Sequence, residues 1–228
     1  MLTRISNTAS VNDMERMLSA KFDYEFLYSP KTVINGLKET SVALITANAP
    51  KRIQYGIWGI LPDNYEDSWK PFQSSNNTLE TNIKNIQDSN WLFDALLYRR
   101  CLIIATGFYT FNVKDHFMYP TYHSVKNQNI FCFAGIYNVL ADGFITFTIL
   151  SHSTVGSKDI IETPQPIIIK QNLYIQFLKK KFLFNQLINH ELEINRDELI
   201  SNPISKLVYK DKNYPINVPH LPYNQSYY

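Results

Sequence analysis

The sequence predicts an α+β fold, rich in strands with a few helices at its periphery, and three observations predict it. Aromatic side chains are abundant, with 15 Tyr and 14 Phe among 228 residues, and these favour pleated, half-buried positions. Apolar runs bounded by turn residues recur at strand length, most clearly Leu102 to Ala105 and Phe108 to Phe111 on either side of Gly107. Helical periodicity stands out in only a few windows, near 12–20, 91–98 and 173–192.

The totals narrow the function classes. At 45% apolar residues the chain can bury a substantial core, and its length fits one domain over 1–228 with a frayed tail over 213–228. Lys and Arg number 22 against 20 acidic residues, so no global field draws the protein to a polyanion, and any nucleic-acid site must be a local groove. The opening Met-Leu-Thr-Arg-Ile-Ser-Asn lacks the apolar core of a secretion signal and no later run approaches a membrane span, so the chain reads as cytoplasmic, without membrane association, and as a monomer. Cys101 and Cys132 lie in apolar strand-like runs, where reduced, inert thiols are expected. His190-Glu191 lacks the second histidine of a zinc motif, so neither a metal nor a cofactor is expected.

Taken in order, the chain opens with a short arm and a helix over 12–20, with Met14, Met17 and Leu18 behind Ser10 and Asn12 as caps. Strands are expected over 41–46 and 53–60, the second ending at Leu61-Pro62, and 63–75 reads as a surface loop. Trp91, Ala95 and Tyr98 share one face of a second helix. The central pair of strand segments follows, bent at Gly107, and then a basic-aromatic turn over 114–122 holding His116. A strand over 129–137 contains Gly135, and Ala141-Asp142-Gly143 is a hairpin signal before a return strand over 144–150. Ile167 to Ile169 is another strand. Residues 173–192 read as one amphipathic helix, with Lys179 to Lys181 on its solvated face.

Six segments of this chain, in order and at compatible spacing from Arg4 to Val208, resemble the SOS-response-associated peptidase (SRAP) family, the abasic-site processing proteins. They include Trp58-Gly59-Ile60-Leu61-Pro62, Asn76-Asn77-Thr78-Leu79-Glu80-Thr81, Arg100 to Phe111, and Phe131 to Tyr137. Also similar are Pro166-Ile167-Ile168-Ile169 and Pro203-Ile204-Ser205 with Val208. The resemblance implies a β-rich barrel with a groove for single-stranded DNA. In such proteins an N-terminal cysteine captures the ring-opened aldehyde of an abasic site: its amine forms an imine, and its thiol closes a stable ring on it.

The reactive positions of the family depart from its pattern here. The nucleophilic cysteine reads Leu2, the glutamate Thr110 and the histidine Glu162, while the asparagine is kept as Asn76. Leu2 also disfavours removal of Met1. The resemblance assigns DNA contact to Arg4, Trp58 and Thr78, the last replacing an arginine, and a second arginine position reads Pro164. The expectation is a catalytically degenerate SRAP protein that retains at most binding of single-stranded or abasic DNA. Two alternatives stay open: a lyase using the Met1 amine with Glu162 as proton carrier, and a protein-interaction module on the same fold.

Overall fold

The structure, a computed structural model, describes residues 1–114, 117–152, 164–179, 184–205 and 208, with backbone only for 112–114 and 117–118. In chain order the strands are β1 (Arg4–Asn7), β2 (Lys21–Phe22), β3 (Lys31–Asn35), β4 (Ser41–Thr46), β5 (Arg52–Trp58), β6 (Glu80–Asn82) and β7 (Arg100–Ala105). They continue as β8 (Gly107–Lys114), β9 (Phe117–Val125), β10 (Phe131–Val139), β11 (Ile145–His152), β12 (Gln165–Pro166), β13 (Ile168–Ile169) and β14 (Leu199–Pro203). The helices are α1 (Val11–Leu18), α2 (Trp69–Ser75), α3 (Asn90–Tyr98), α4 (Tyr174–Leu178) and α5 (Phe184–Ile188). No described helix is long and apolar enough to cross a membrane.

Five strands close on themselves in the order β5-β4-β7-β10-β11, the ring being completed by a parallel pairing of β11 with β5 that sets Ile145 opposite Gly56 and Phe147 opposite Trp58. Closure removes the exposed edges that a strand-rich sequence would otherwise present. A second sheet, β14-β9-β8-β1-β3, is joined to this barrel where β7 passes into β8. The joint is Thr106-Gly107, as the bend at Gly107 predicts, and a Cβ at Gly107 would stand 2.1 Å from the Tyr122 hydroxyl oxygen. Only glycine lets the two chains pass so closely.

Strand β7 shows why the sequence reads as continuous apolar rather than alternating. All six of its residues are buried, with Leu102 and Ile104 packing into a cluster under the helices and Cys101, Ile103 and Ala105 into a second cluster with Trp58, Phe131, Phe133 and Phe147. A period of two delivers each face to its own core, and each large side chain contributes roughly 1.5–3 kcal/mol by leaving water. Both cysteines are buried and unpaired with each other, as expected.

Helix α1 begins at Ser10, whose hydroxyl accepts the Asp13 amide at 3.1 Å, and buries Met14. Helix α3 and the hairpin across 140–143 also follow the sequence expectation, the latter closed by the Gly143 amide donating to Leu140 O at 2.8 Å. Four segments differ. The N-terminal arm contains β1, a strand held between β3 and β8. The expected surface loop over 63–75 ends in α2, because Trp69 and Gln73 bury one face of it. The expected turn over 114–122 is instead β8 and β9, whose register runs from Phe108 opposite His123 to Lys114 opposite Phe117; aromatic residues in this stretch serve pairing. The single helix expected over 173–192 is interrupted after Leu178, where Lys179 is extended, and α5 begins at Phe184. The tail over 213–228, His116 and Glu162 lie outside the described residues.

Candidate active site at the amino terminus

Backbone bonds on both sides of β1 fix the start of the chain. The Gly36 amide donates to Thr3 O at 2.9 Å, and the Leu2 amide donates to Glu80 Oε2 at 2.7 Å. The Leu2 side chain, 2% exposed, is part of the barrel core, whereas Met1 remains 42% exposed. The terminal amine therefore sits one residue from a carboxylate that its own backbone helps to hold.

Glu80 opens β6, which lies parallel to β11 with Glu80 opposite Ile149. Burial raises its carboxyl above the ordinary range, opposed by the Leu2 amide, the Ser151 hydroxyl and the positive chain terminus. Its second oxygen, Oε1, and the Ser151 Oγ are both buried without a directed hydrogen bond among the described residues. Two such groups facing one another at a chain terminus can accept a polar group from outside.

Trp58 supports this corner from beneath. Its indole N–H donates to Leu79 O at 2.8 Å, its ring stacks on Phe147 at 6.4 Å between centroids, and it is fully buried. Gly59 follows with φ +110°, and a Cβ there would stand 2.7 Å from Trp69 Nε1, which donates to Trp58 O at 3.0 Å. That accounts for the Trp-Gly pair in the sequence: one anchors the strand end, the other turns it against α2. In this arrangement the Trp58 ring packs inward.

Asn76 and Thr78 ride on the loop between α2 and β6. Asn76 is exposed at the end of α2, its amide donating to Phe72 O at 2.7 Å. Thr78 is buried; its amide donates to Gln73 Oε1 at 2.9 Å and its hydroxyl to Ile60 O at 2.6 Å, while Gln73 Nε2 donates to Thr78 Oγ1 at 2.7 Å. Where the resemblance places an arginine, this chain has a brace that shapes the loop.

Arg4 and Thr110 belong to the β1–β8 ladder, in which Arg4 faces Tyr109. Thr110, one residue further, lies level with Thr3 as that register continues, and Arg4 Nη1 donates to Thr3 Oγ1 at 3.3 Å. Arg4 and Thr110 are thus neighbours in one sheet, and Leu2 lies just before its first strand. Glu162, outside the described residues, cannot be placed against them.

Thr110 has a partner that the sequence did not announce. Its hydroxyl lies 2.7 Å from His123 Nε2, and His123 Nδ1 lies 2.8 Å from Ser201 Oγ, so one imidazole ties β8, β9 and β14 together. Desolvation pushes His123 down to about 4, and its ring stacks on Phe108 at 4.6 Å. The imidazole is therefore neutral at pH 7, and its tautomer decides which hydroxyl donates. His123 was missed because 114–122 reads as a turn; the strand alternation of 117–125 is the signal that would have found it. Glu80 was visible in its motif but carried no role in the sequence reading.

A cleft of about 1000 Å³ opens elsewhere, lined among others by Asp13, Arg16, Thr106, Tyr122 and Gln128. It contains none of the candidate residues, and its two charges pair with each other at 2.7 Å. It offers no focused field.

Comparison with known proteins follows the same outline. The family model described as SOS response associated peptidase (SRAP) matches residues 1–211. A protein of Bacteroides thetaiotaomicron is similar in structure at TM-score 0.78 and 18% identity, covering 94% of this chain and 97% of that one. A protein of Bordetella bronchiseptica is similar at TM-score 0.68 and 14% identity, over 89% of this chain and 99% of its own. A phage-related protein of Bordetella bronchiseptica aligns at TM-score 0.66 and 14% identity, over 90% and 94%. At such identities the likeness concerns the fold. Among curated proteins no match is found.

Proposed function

The chain belongs to the SOS-response-associated peptidase (SRAP) family, and on that premise we propose that it is a degenerate member that engages single-stranded, abasic DNA without forming the stable ring adduct. The observation that carries this reading is the state of residue 2. A stable ring needs a thiol beside the imine carbon, and Leu2 supplies a buried alkyl chain. The two cysteines of the sequence are no substitute: both are fully buried, burial raises Cys101 well above its usual value and pushes Cys132 up to about 12.

The geometry also favours a second reading, a lyase working through a reversible imine. The amine of the exposed Met1 could condense with a ring-opened aldehyde, losing water, while Glu80, with its raised pKa and an Oε1 unpaired among the described residues, carries the proton. In this reading Glu80 takes the part that the sequence alone assigned to Glu162. Arg4, Asn76 and Thr110 would border the bound strand.

One assay separates the readings. The protein is incubated with abasic single-stranded DNA, with and without borohydride, and resolved on a denaturing gel, while intact and abasic strands are titrated by fluorescence anisotropy. The degenerate reading expects binding without any covalent product in the absence of reductant. A reductant-dependent adduct at Met1 with strand cleavage selects the lyase. A heat-stable adduct formed without reductant overturns the degenerate reading, and absence of binding to either strand leaves a protein-interaction module.

A further inference from the structure

We propose that His152, His190 and Glu193, brought together at the rim of the barrel, form a binding site for one divalent transition-metal ion of the zinc class. The two imidazoles and the carboxylate each offer one ligand atom, and these atoms lie within 4.8 Å of one another. His152 Nε2 stands 3.1 Å from Glu193 Oε1, and His190 Nδ1 contacts the same oxygen. Around a tetrahedral ion with bonds of about 2.0–2.1 Å, neighbouring ligand atoms are separated by roughly 3.3 Å, so modest side-chain rotation suffices to admit the ion.

His152 supplies the observation that points to a ligand. It is 8% exposed, and among the described residues its Nε2 has no hydrogen bond despite its nearness to Glu193. Leaving a buried imidazole nitrogen unsatisfied costs free energy. The His190 ring lies 4.0 Å away, so one cation can accept both nitrogen lone pairs and the carboxylate and remove that cost.

The scaffold holds each ligand by its backbone. His152 ends β11 opposite Gln165. Glu193 is fixed from both sides, the Lys170 amide donating to Leu192 O at 2.9 Å and the Ile194 amide to Ile168 O at 3.0 Å. His190 follows α5 with φ +59°, the left-handed region that a side chain enters at a cost, and this conformation turns its ring toward Glu193. A cleft of about 200 Å³ opens over the three groups, with Gln165, Asn195 and Arg196 also on its walls. Three protein ligands and an open side match a site that keeps a position for water or a small anion. The sequence motif failed to show it because the second histidine comes from β11 and not from the same helix.

The test uses untagged, full-length protein, Zn²⁺ competed against a chromophoric chelator, and Co²⁺ followed by its visible absorption. The expected result is one equivalent bound, a Co²⁺ spectrum without thiolate bands, and affinity reduced roughly tenfold or more in His190→Ala and Glu193→Gln. Both changes fall on the rim, so circular dichroism should report an unchanged fold. Zn²⁺ at a hundredfold excess over its Kd should raise the melting temperature by about 5–10 °C in the original protein only. Failure to bind, or equal binding by both variants, overturns the proposal and leaves the cluster as a knot of hydrogen bonds.

Discussion

At the scale of single residues, titratable groups stand beside the motif positions Leu2 and Thr110 rather than on them. Thr110 cannot titrate, but His123 beside it can, and its depressed pKa has a sign. The unfolded chain protonates His123 near 6.5 and the folded one near 4, so the stability it contributes is complete above pH 6.5 and is lost as the pH falls toward 4. About 2–3 kcal/mol should disappear across that window in urea titrations, and His123→Asn should flatten this part of the profile. Glu80 carries the opposite sign: its raised pKa makes its charge a liability, so its contribution is present below 4.5 and is lost as the pH rises through the folded value. Glu80→Gln, which keeps an acceptor for the Leu2 amide, should therefore raise the denaturation midpoint at pH 8, and a lowered midpoint would show the carboxylate to be paired more strongly than its surroundings indicate. Leu2→Cys restores a thiol and frees the terminus for Met1 removal. Without a glutamate at Thr110, cross-linking of abasic DNA by this variant should be slow, as a time course on denaturing gels would reveal. The identities at positions 2 and 110 were legible in the sequence. Their partners were not, since Glu80 accepts the Leu2 amide from far along the chain and His123 reaches Thr110 across the β8–β9 pairing, contacts that no local pattern encodes.

At the scale of elements, Arg100 explains why one expected helix became two. Fully buried at the start of β7, it donates through Nε to Phe177 O at 2.7 Å, through one terminal nitrogen to the carbonyls of Leu96 and Leu97, and through the other to Lys179 O. One guanidinium thereby satisfies the last carbonyls of both α3 and α4, where the helix dipole favours a cation. The apolar spacing of 173–192 continues past this point, so periodicity alone could not locate the break. Arg100→Ala should cost about 3 kcal/mol or more by stranding these carbonyls, and Arg100→Lys should recover only a small part, because an ammonium lacks the planar fork. Chemical denaturation of the three proteins would decide it. The same reasoning applies to α2: its buried Trp69 and Gln73 were visible, but too short a stretch separates them to show a helical period.

At the scale of the whole molecule, the fold class was readable because strand composition, the Gly107 bend and the ordered segments agree with one another. The barrel itself needed the family resemblance, since closure depends on pairing β5 with β11 across a long stretch of chain. Cys101 and Cys132 sit on adjacent barrel strands, β7 and β10, both without exposure, so native maleimide labelling of either should proceed only as fast as the barrel opens, at one common rate. Rapid labelling of one thiol alone would mean that the two strands separate independently.

The parallel seam between β5 and β11 also carries a consequence for synthesis. Of the five barrel strands, β11 leaves the ribosome last, and until Ile145 appears Gly56 has no partner on that side. Every nascent chain therefore passes through a state in which Trp58 lacks the Phe147 ring and one flank of β5 is open to other chains. A long-range contact of this kind forms late and slowly. Growth temperature and chaperone supply should accordingly govern the yield of this protein more than the stability of its finished form.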